Sequence, residues 1–116
     1  MKERNLTRFS HFLQEELSKI IMRDIEVEPG TLITVTQVDV SPDFRHAKVS
    51  LTVYPQKTQG STLQAIRKRA RAYEYELADL VRSGRSPQLE FMIDDSVVKG
   101  FQVDELLDQI QDEEKE

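Results

Sequence analysis

The amino-acid sequence predicts an α+β fold: one helix, a pair of strands, a long helical segment and a last strand. Three patterns carry this expectation. Leu6, Phe9, Leu13, Leu17 and Ile20 recur at helical spacing, whereas Ala47, Val49, Leu51 and Val53 alternate strictly. Helical spacing then returns at Leu63, Ile66, Ala70, Tyr73, Leu77 and Leu80 before Leu89, Phe91 and Ile93 alternate again. At 116 residues the chain has enough length for one core. Residues 1–103 are expected to form that domain and residues 104–116 an acidic tail.

The first helix is expected from about Leu6 to Met22, because its apolar stripe lies opposite Arg4, Arg8 and His11 at about 100° per residue. Pro29 and Gly30 mark the turn that follows. The first strand then starts at Leu32. Ile33 and Val35 share one parity and Val38 and Val40 the other, which predicts a bulge near Thr36 and Gln37. Ser41, Pro42 and Asp43 supply turn chemistry, so an antiparallel hairpin with a loop of five or six residues should lead into the strand His46–Tyr54. Lys48 has the parity opposite to Ala47 and Val49 and should face solvent. The second helical pattern fills most of Ser61 to Arg82, and Pro87 ends it. Asp94, Asp95 and Ser96 turn the chain out after the third strand.

Composition narrows the function classes. The chain has no cysteine, and its two histidines, His11 and His46, are too few for a zinc site of their own. The start, MKERNLTRFSHF, lacks the apolar run of a secretory signal, so a cytoplasmic protein without a membrane partner is expected. No nucleophile, base and orienting acid stand in a recognisable pattern and no glycine-rich phosphate loop is present, which argues against an enzyme or a cofactor. Asp94 and Asp95 invite a metal reading, but a strand-ending turn accounts for both, and no metal is expected.

Charge is more informative than its sum. The formal net charge is -5, yet IRKRARAYEYE places Arg67, Lys68, Arg69 and Arg71 within a few residues. From Asp104 onward seven acids against Lys115 make -6, so the preceding 103 residues carry +1. On a helical projection Lys68, Arg71, Tyr75 and Arg82 share one sector opposite the apolar stripe, flanked by Arg67 and Arg85. Arg45 and Lys48, in and after the hairpin loop, are candidates to extend that surface. A basic helix face is commonly just a solvated one. Tyr75 fits either base stacking or an ordinary helix surface.

Two stretches go further. ITVTQVDVSPDFRHAKVSLTVYP, with Val38, Ser41, Pro42, Asp43, Ala47, Lys48 and Val49, resembles the hairpin of the ribosome-binding factor A family. GRSPQLEFMIDDSVVKG, with Arg85, Pro87, Leu89, Phe91, Asp94, Ser96 and Gly100, resembles the same family around its last strand. The resemblance covers roughly residues 3–107. It implies a single type II KH-like domain, helix-strand-strand-helix-helix-strand, with helices packed on one face of a three-stranded sheet. It also implies a bacterial assembly factor, monomeric and not a nuclease. Such a factor binds the free small ribosomal subunit and its rRNA, late in maturation, beside other assembly factors, and supports rRNA processing. On this reading Arg4, Arg8, Arg45, Lys48, Arg67, Lys68, Arg71, Tyr75, Arg82 and Arg85 are the candidate RNA-binding residues. The family's Ala-x-Gly kink between two helices falls on Arg69, Ala70 and Arg71, where the glycine is missing, so a straighter helix is expected there. The competing reading is a protein-interaction adaptor with an incidental basic face.

Overall fold

The computed structural model describes the backbone of residues 2–96 and the side chains of residues 5–96. Helix α1 spans Lys2–Asp24, and strands β1, Leu32–Val40, and β2, His46–Tyr54, follow as an antiparallel pair. A short 3-10 turn, Gln56–Thr58, leads into α2, Gln59–Lys68, then α3, Ala70–Leu80, and β3, Gln88–Ile93. The sheet order is β1-β2-β3, with β3 parallel to β2. This mixed α+β architecture has the element order expected above.

One apolar cluster joins the helices to one face of the sheet. Leu13, Leu17, Ile20 and Ile21 of α1, Ile66 of α2, and Tyr73 and Leu77 of α3 are buried in it. From the sheet come Val35, Val38, Ala47, Val49, Leu51, Leu89 and Phe91. Strand alternation puts Thr34, Asp39, Lys48 and Glu90 on the other, exposed face. Each fully buried Leu, Ile or Val in the cluster contributes about 1.5–3 kcal/mol by leaving water, which is why a stripe of such residues suffices to orient a helix.

The bulge falls at Thr36, since Val35 opposes Leu51 while Gln37 opposes Ser50. The extra residue restores inward facing for both Val35 and Val38. Its hydroxyl reaches across the open face and donates to Asp94 Oδ2 at 2.7 Å. Asp94 Oδ1 in turn accepts from the Ser96 amide at 3.0 Å, making the turn expected at Asp94, Asp95 and Ser96. The hydroxyls of Ser96 and Thr36 and the Ser96 amide hold the Asp94 carboxyl below the usual carboxylate range.

The second helical pattern is not a straight run. Arg69 has φ -99 and ψ 4, which breaks the helix between α2 and α3. The missing glycine does not prevent the break, because this bridge conformation has negative φ and is open to any L residue. Tertiary contacts hold it: Arg69 Nε donates to Asp24 Oδ2 at 2.7 Å, and Arg23 donates from Nη1 and Nη2 to Glu76 Oε1 and Oε2 at 2.8 Å each. The end of α1 is thereby tied to the break residue itself and to α3. The helix expected as far as Arg82 also stops earlier, at Leu80. Val81 is extended, with φ -90 and ψ 134, and its carbonyl accepts from Gly84 N–H at 2.8 Å in a turn that uses the positive φ of Gly84, 72°.

Candidate nucleic-acid interface

The cationic candidates are brought together by the hairpin loop and the α2–α3 break. In the loop, residues 41–45, the Ser41 hydroxyl donates to Asp43 Oδ1 at 2.6 Å and the Arg45 amide donates to the same oxygen at 3.0 Å. The His46 amide donates to Ser41 Oγ at 3.0 Å. Asp43 is therefore a turn-binding carboxylate, its pKa lowered first by the Ser41 hydroxyl and then by the Arg45 amide. The loop carries Arg45 to the start of β3, where the Arg45 carbonyl accepts from the Gln88 amide at 2.8 Å.

A groove of about 640 Å³ opens beside that contact, lined by Arg45, Arg67, Lys68 and Arg71 together with Glu74 and Gln88. Four cations face one carboxylate. The groove runs along the outer edge of β3, and two of its side chains cover backbone groups that the sheet leaves unpaired. Glu74 Oε2 accepts from the Leu89 amide at 3.2 Å. Arg67 donates to the Phe91 carbonyl from Nε at 3.1 Å and from Nη2 at 2.9 Å. Arg67 is thus partly spent on the fold, whereas Lys68 and Arg71 make no side-chain hydrogen bond or ion pair among the described residues.

A second groove, of about 630 Å³, adjoins the first through Arg45 and Ser86, which line both. It adds Arg82 and Arg85 on the rim and Phe9, Phe44 and Val81 on the apolar side. The structure therefore groups Arg45, Arg67, Lys68, Arg71, Arg82 and Arg85 along one continuous edge. It achieves this differently from the single helical sector expected above. Lys68 closes α2, Arg71 opens α3, and Arg82 lies beyond α3 altogether.

The other candidates stand apart. Lys48 is on the open face of the sheet, opposite Asp39 on β1 and away from the helices, so it does not extend the Arg45 surface. Tyr75 is 80% exposed on α3 and lines neither groove. Arg8 is exposed on α1 and likewise lines neither, and the Arg4 side chain lies outside the described residues. So do Gly100 and the acidic tail from Asp104. Phe9 and Phe44 line the second groove and were not among the candidates from periodicity. The available signal was an aromatic residue within the polar turn Ser41-Pro42-Asp43-Phe44-Arg45.

Among the described residues no group of three or more His, Cys, Asp or Glu side chains could hold a metal ion, and no helix is long and apolar enough to cross a membrane. What the fold and its edge define is a small α+β domain that presents arginines and lysine in two open grooves. Comparison with known proteins makes this specific. A family model described as ribosome-binding factor A matches residues 5–107, and the chain belongs to that family. It is 33% identical over 116 residues to ribosome-binding factor A of Halothermothrix orenii, covering 99% of this chain and 95% of that protein. Against ribosome-binding factor A of Thermomicrobium roseum it is 35% identical over 107 residues, covering 91% and 83%. The crystal structure of ribosome-binding factor A from Thermus thermophilus matches with a TM-score of 0.63 at 26% identity, covering 76% of this chain and 93% of that one.

Proposed function

We propose that this protein is a small-subunit assembly factor: it binds free, immature small ribosomal subunits through their rRNA and supports late maturation and rRNA processing without catalysing a reaction. Family membership supplies the ribosome, and the observation that carries the rRNA reading is the pair of adjoining grooves whose rims hold Arg45, Arg67, Lys68, Arg71, Arg82 and Arg85. Phosphate contacts from such side chains fix register and orientation but carry no sequence information. Specificity then comes from the shape of the folded rRNA and from the place it occupies on the subunit. By binding one rRNA arrangement better than its alternatives, the protein shifts the population toward it, and the shift ends when maturation removes the preferred arrangement. On this proposal the protein acts as a KH-like monomer in the cytoplasm, without a cofactor.

Sedimentation of cell extract with detection of this protein tests the reading. Comigration with free small subunits and absence from translating ribosomes is the expected result. An even distribution over both overturns it. Retention on subunits after Lys68, Arg71 and Arg82 are replaced by Gln would favour the adaptor reading, in which the basic edge is incidental.

A further inference from the structure

The loop that carries Arg45 closes through an αL residue, and that residue lines the second groove. Phe44 has φ 61, and among the described residues it is the one non-glycine residue with positive φ. A bulky aromatic is poorly suited to that conformation, which Gly or Asn adopts with less strain. The loop nevertheless enforces it: the Phe44 amide donates to the Ser41 carbonyl at 2.9 Å, and the Asp43 bonds to Ser41 and Arg45 close the turn on either side. The result is a ring held against Phe9, centroids 5.4 Å apart, yet still 38% exposed. Phe9 in turn stacks on Phe12, centroids 6.3 Å apart and planes 16° apart, so the ring series runs from the core margin outward. The turn and the Phe9 contact thus fix an exposed ring at the groove in advance of any ligand, which is what a stacking platform needs.

We infer that the groove formed by Phe9, Phe44 and Val81 and rimmed by Arg45, Arg82 and Arg85 binds an unpaired nucleotide of single-stranded RNA, with the base stacked on Phe44 and the flanking phosphates held by the arginines. The inference rests on the rRNA reading above and gives it a ligand class. Arg45, Arg82 and Arg85 make no side-chain hydrogen bond or ion pair among the described residues, so their guanidiniums are available to phosphate. Asp43, the acid in the lining, stays ionised in its turn bonds to Ser41 and Arg45, and three arginines outnumber it in the same groove. An aromatic face beside fixed cations suits a planar base between phosphates, because stacking tolerates any base and the charge follows the backbone. A purely acidic chain such as polyglutamate would satisfy the arginines but offer the ring no planar partner.

The test is anisotropy of a short dye-labelled single-stranded RNA with the full chain, beside the same backbone made abasic. The parent should bind the base-bearing strand roughly 10-fold more tightly than the abasic one, the lower part of the stacking range. Phe44→Gly should abolish that preference and remain folded by circular dichroism, the relief of φ 61 offsetting part of the lost Phe9 contact; Phe44→Tyr, which keeps the ring, should keep the preference. Replacing Arg82 and Arg85 together with Gln should weaken both strands and lower the magnitude of the salt slope by about 1.4, at ~0.7 per single-strand phosphate contact. Equal binding of the two strands by the parent, a preference that survives Phe44→Gly, or displacement of the RNA by polyglutamate at equal charge concentration would each overturn the inference. Sedimentation separates the two readings. Subunit binding that persists without Phe44-dependent preference removes the nucleotide site alone, and preference without subunit binding removes the assembly-factor reading alone.

Discussion

Phe91→Ala tests the link between strand register and the basic edge. The Phe91 ring is 1% exposed and meets Tyr73 edge-on, with centroids 6.2 Å apart and planes at 81°. Truncation to Ala removes the buried ring and leaves a cavity, a loss of about 3–5 kcal/mol in close-packed cores. Of this, ~0.5–1.5 kcal/mol belongs to the aromatic pair beyond its buried area. Domains of this size have roughly 5–15 kcal/mol in total, so the variant should lose a large fraction of its stability without losing a single basic residue. Urea denaturation followed by circular dichroism gives the measurement. With a slope of about 1–3 kcal/mol per molar, the midpoint should fall by roughly 2 M at unchanged slope. Glu90→Ala is the control on the neighbouring exposed position and should stay within about 0.5 kcal/mol of the parent. A loss below about 1 kcal/mol for Phe91→Ala, or an equal loss at Glu90, would refute the register. The placement of Arg67 on the Phe91 carbonyl would fall with it.

Three further outcomes follow from the same structure and charge pattern. Replacing Lys68, Arg71 and Arg82 with Gln should leave the urea midpoint unchanged while lowering the salt slope of subunit binding by roughly 2, taking ~0.7–0.9 per phosphate contact; an unchanged slope would count against the edge. Asp94, whose folded pKa is depressed, contributes stability that is present above the ordinary carboxylate value of about 4 and is lost as pH falls through the lowered value. The stability difference between the parent and Asp94→Asn should therefore narrow between about pH 7 and about pH 3, measured as urea midpoints, and a constant difference would contradict the assignment. Truncation after Gln111 removes Asp112, Glu113, Glu114 and Glu116 and should tighten RNA binding modestly at low salt and little at high salt. Equal or weaker low-salt binding would leave the acidic run a solubilising role.

Much of the fold was legible because each signal is local. Alternation over His46–Tyr54 reports which side of a strand is buried, and the parity change from Val35 to Val38 reports the bulge at Thr36 without any knowledge of the partner strand. The turn at Ser41, Pro42 and Asp43 was readable for the same reason, since its hydrogen bonds close within six residues from Ser41 to His46. The site was less legible. A helical projection brought Lys68, Arg71, Tyr75 and Arg82 together, but it assumed one unbroken helix; the break at Arg69 and the stop at Leu80 leave Arg82 outside both helices and Tyr75 outside both grooves.

By itself the sequence determined the α+β class, the order of elements, the inward face of each strand and the concentration of positive charge near Arg67–Arg71. All of these follow from side-chain periodicity and backbone preferences within a few residues. Tertiary structure decided which cations share a surface. Parallel pairing of β3 with β2 sets the hairpin loop beside the α2–α3 break, so that Arg45 meets Lys68 and Arg71 while Lys48, three residues after Arg45, faces the opposite side of the sheet. It also committed Arg67 to the Phe91 carbonyl, 24 residues away, and set Phe44 against Phe9. The physical reason is that contacts between distant residues depend on how whole elements pack on the common core, and helical or strand periodicity carries no record of that packing.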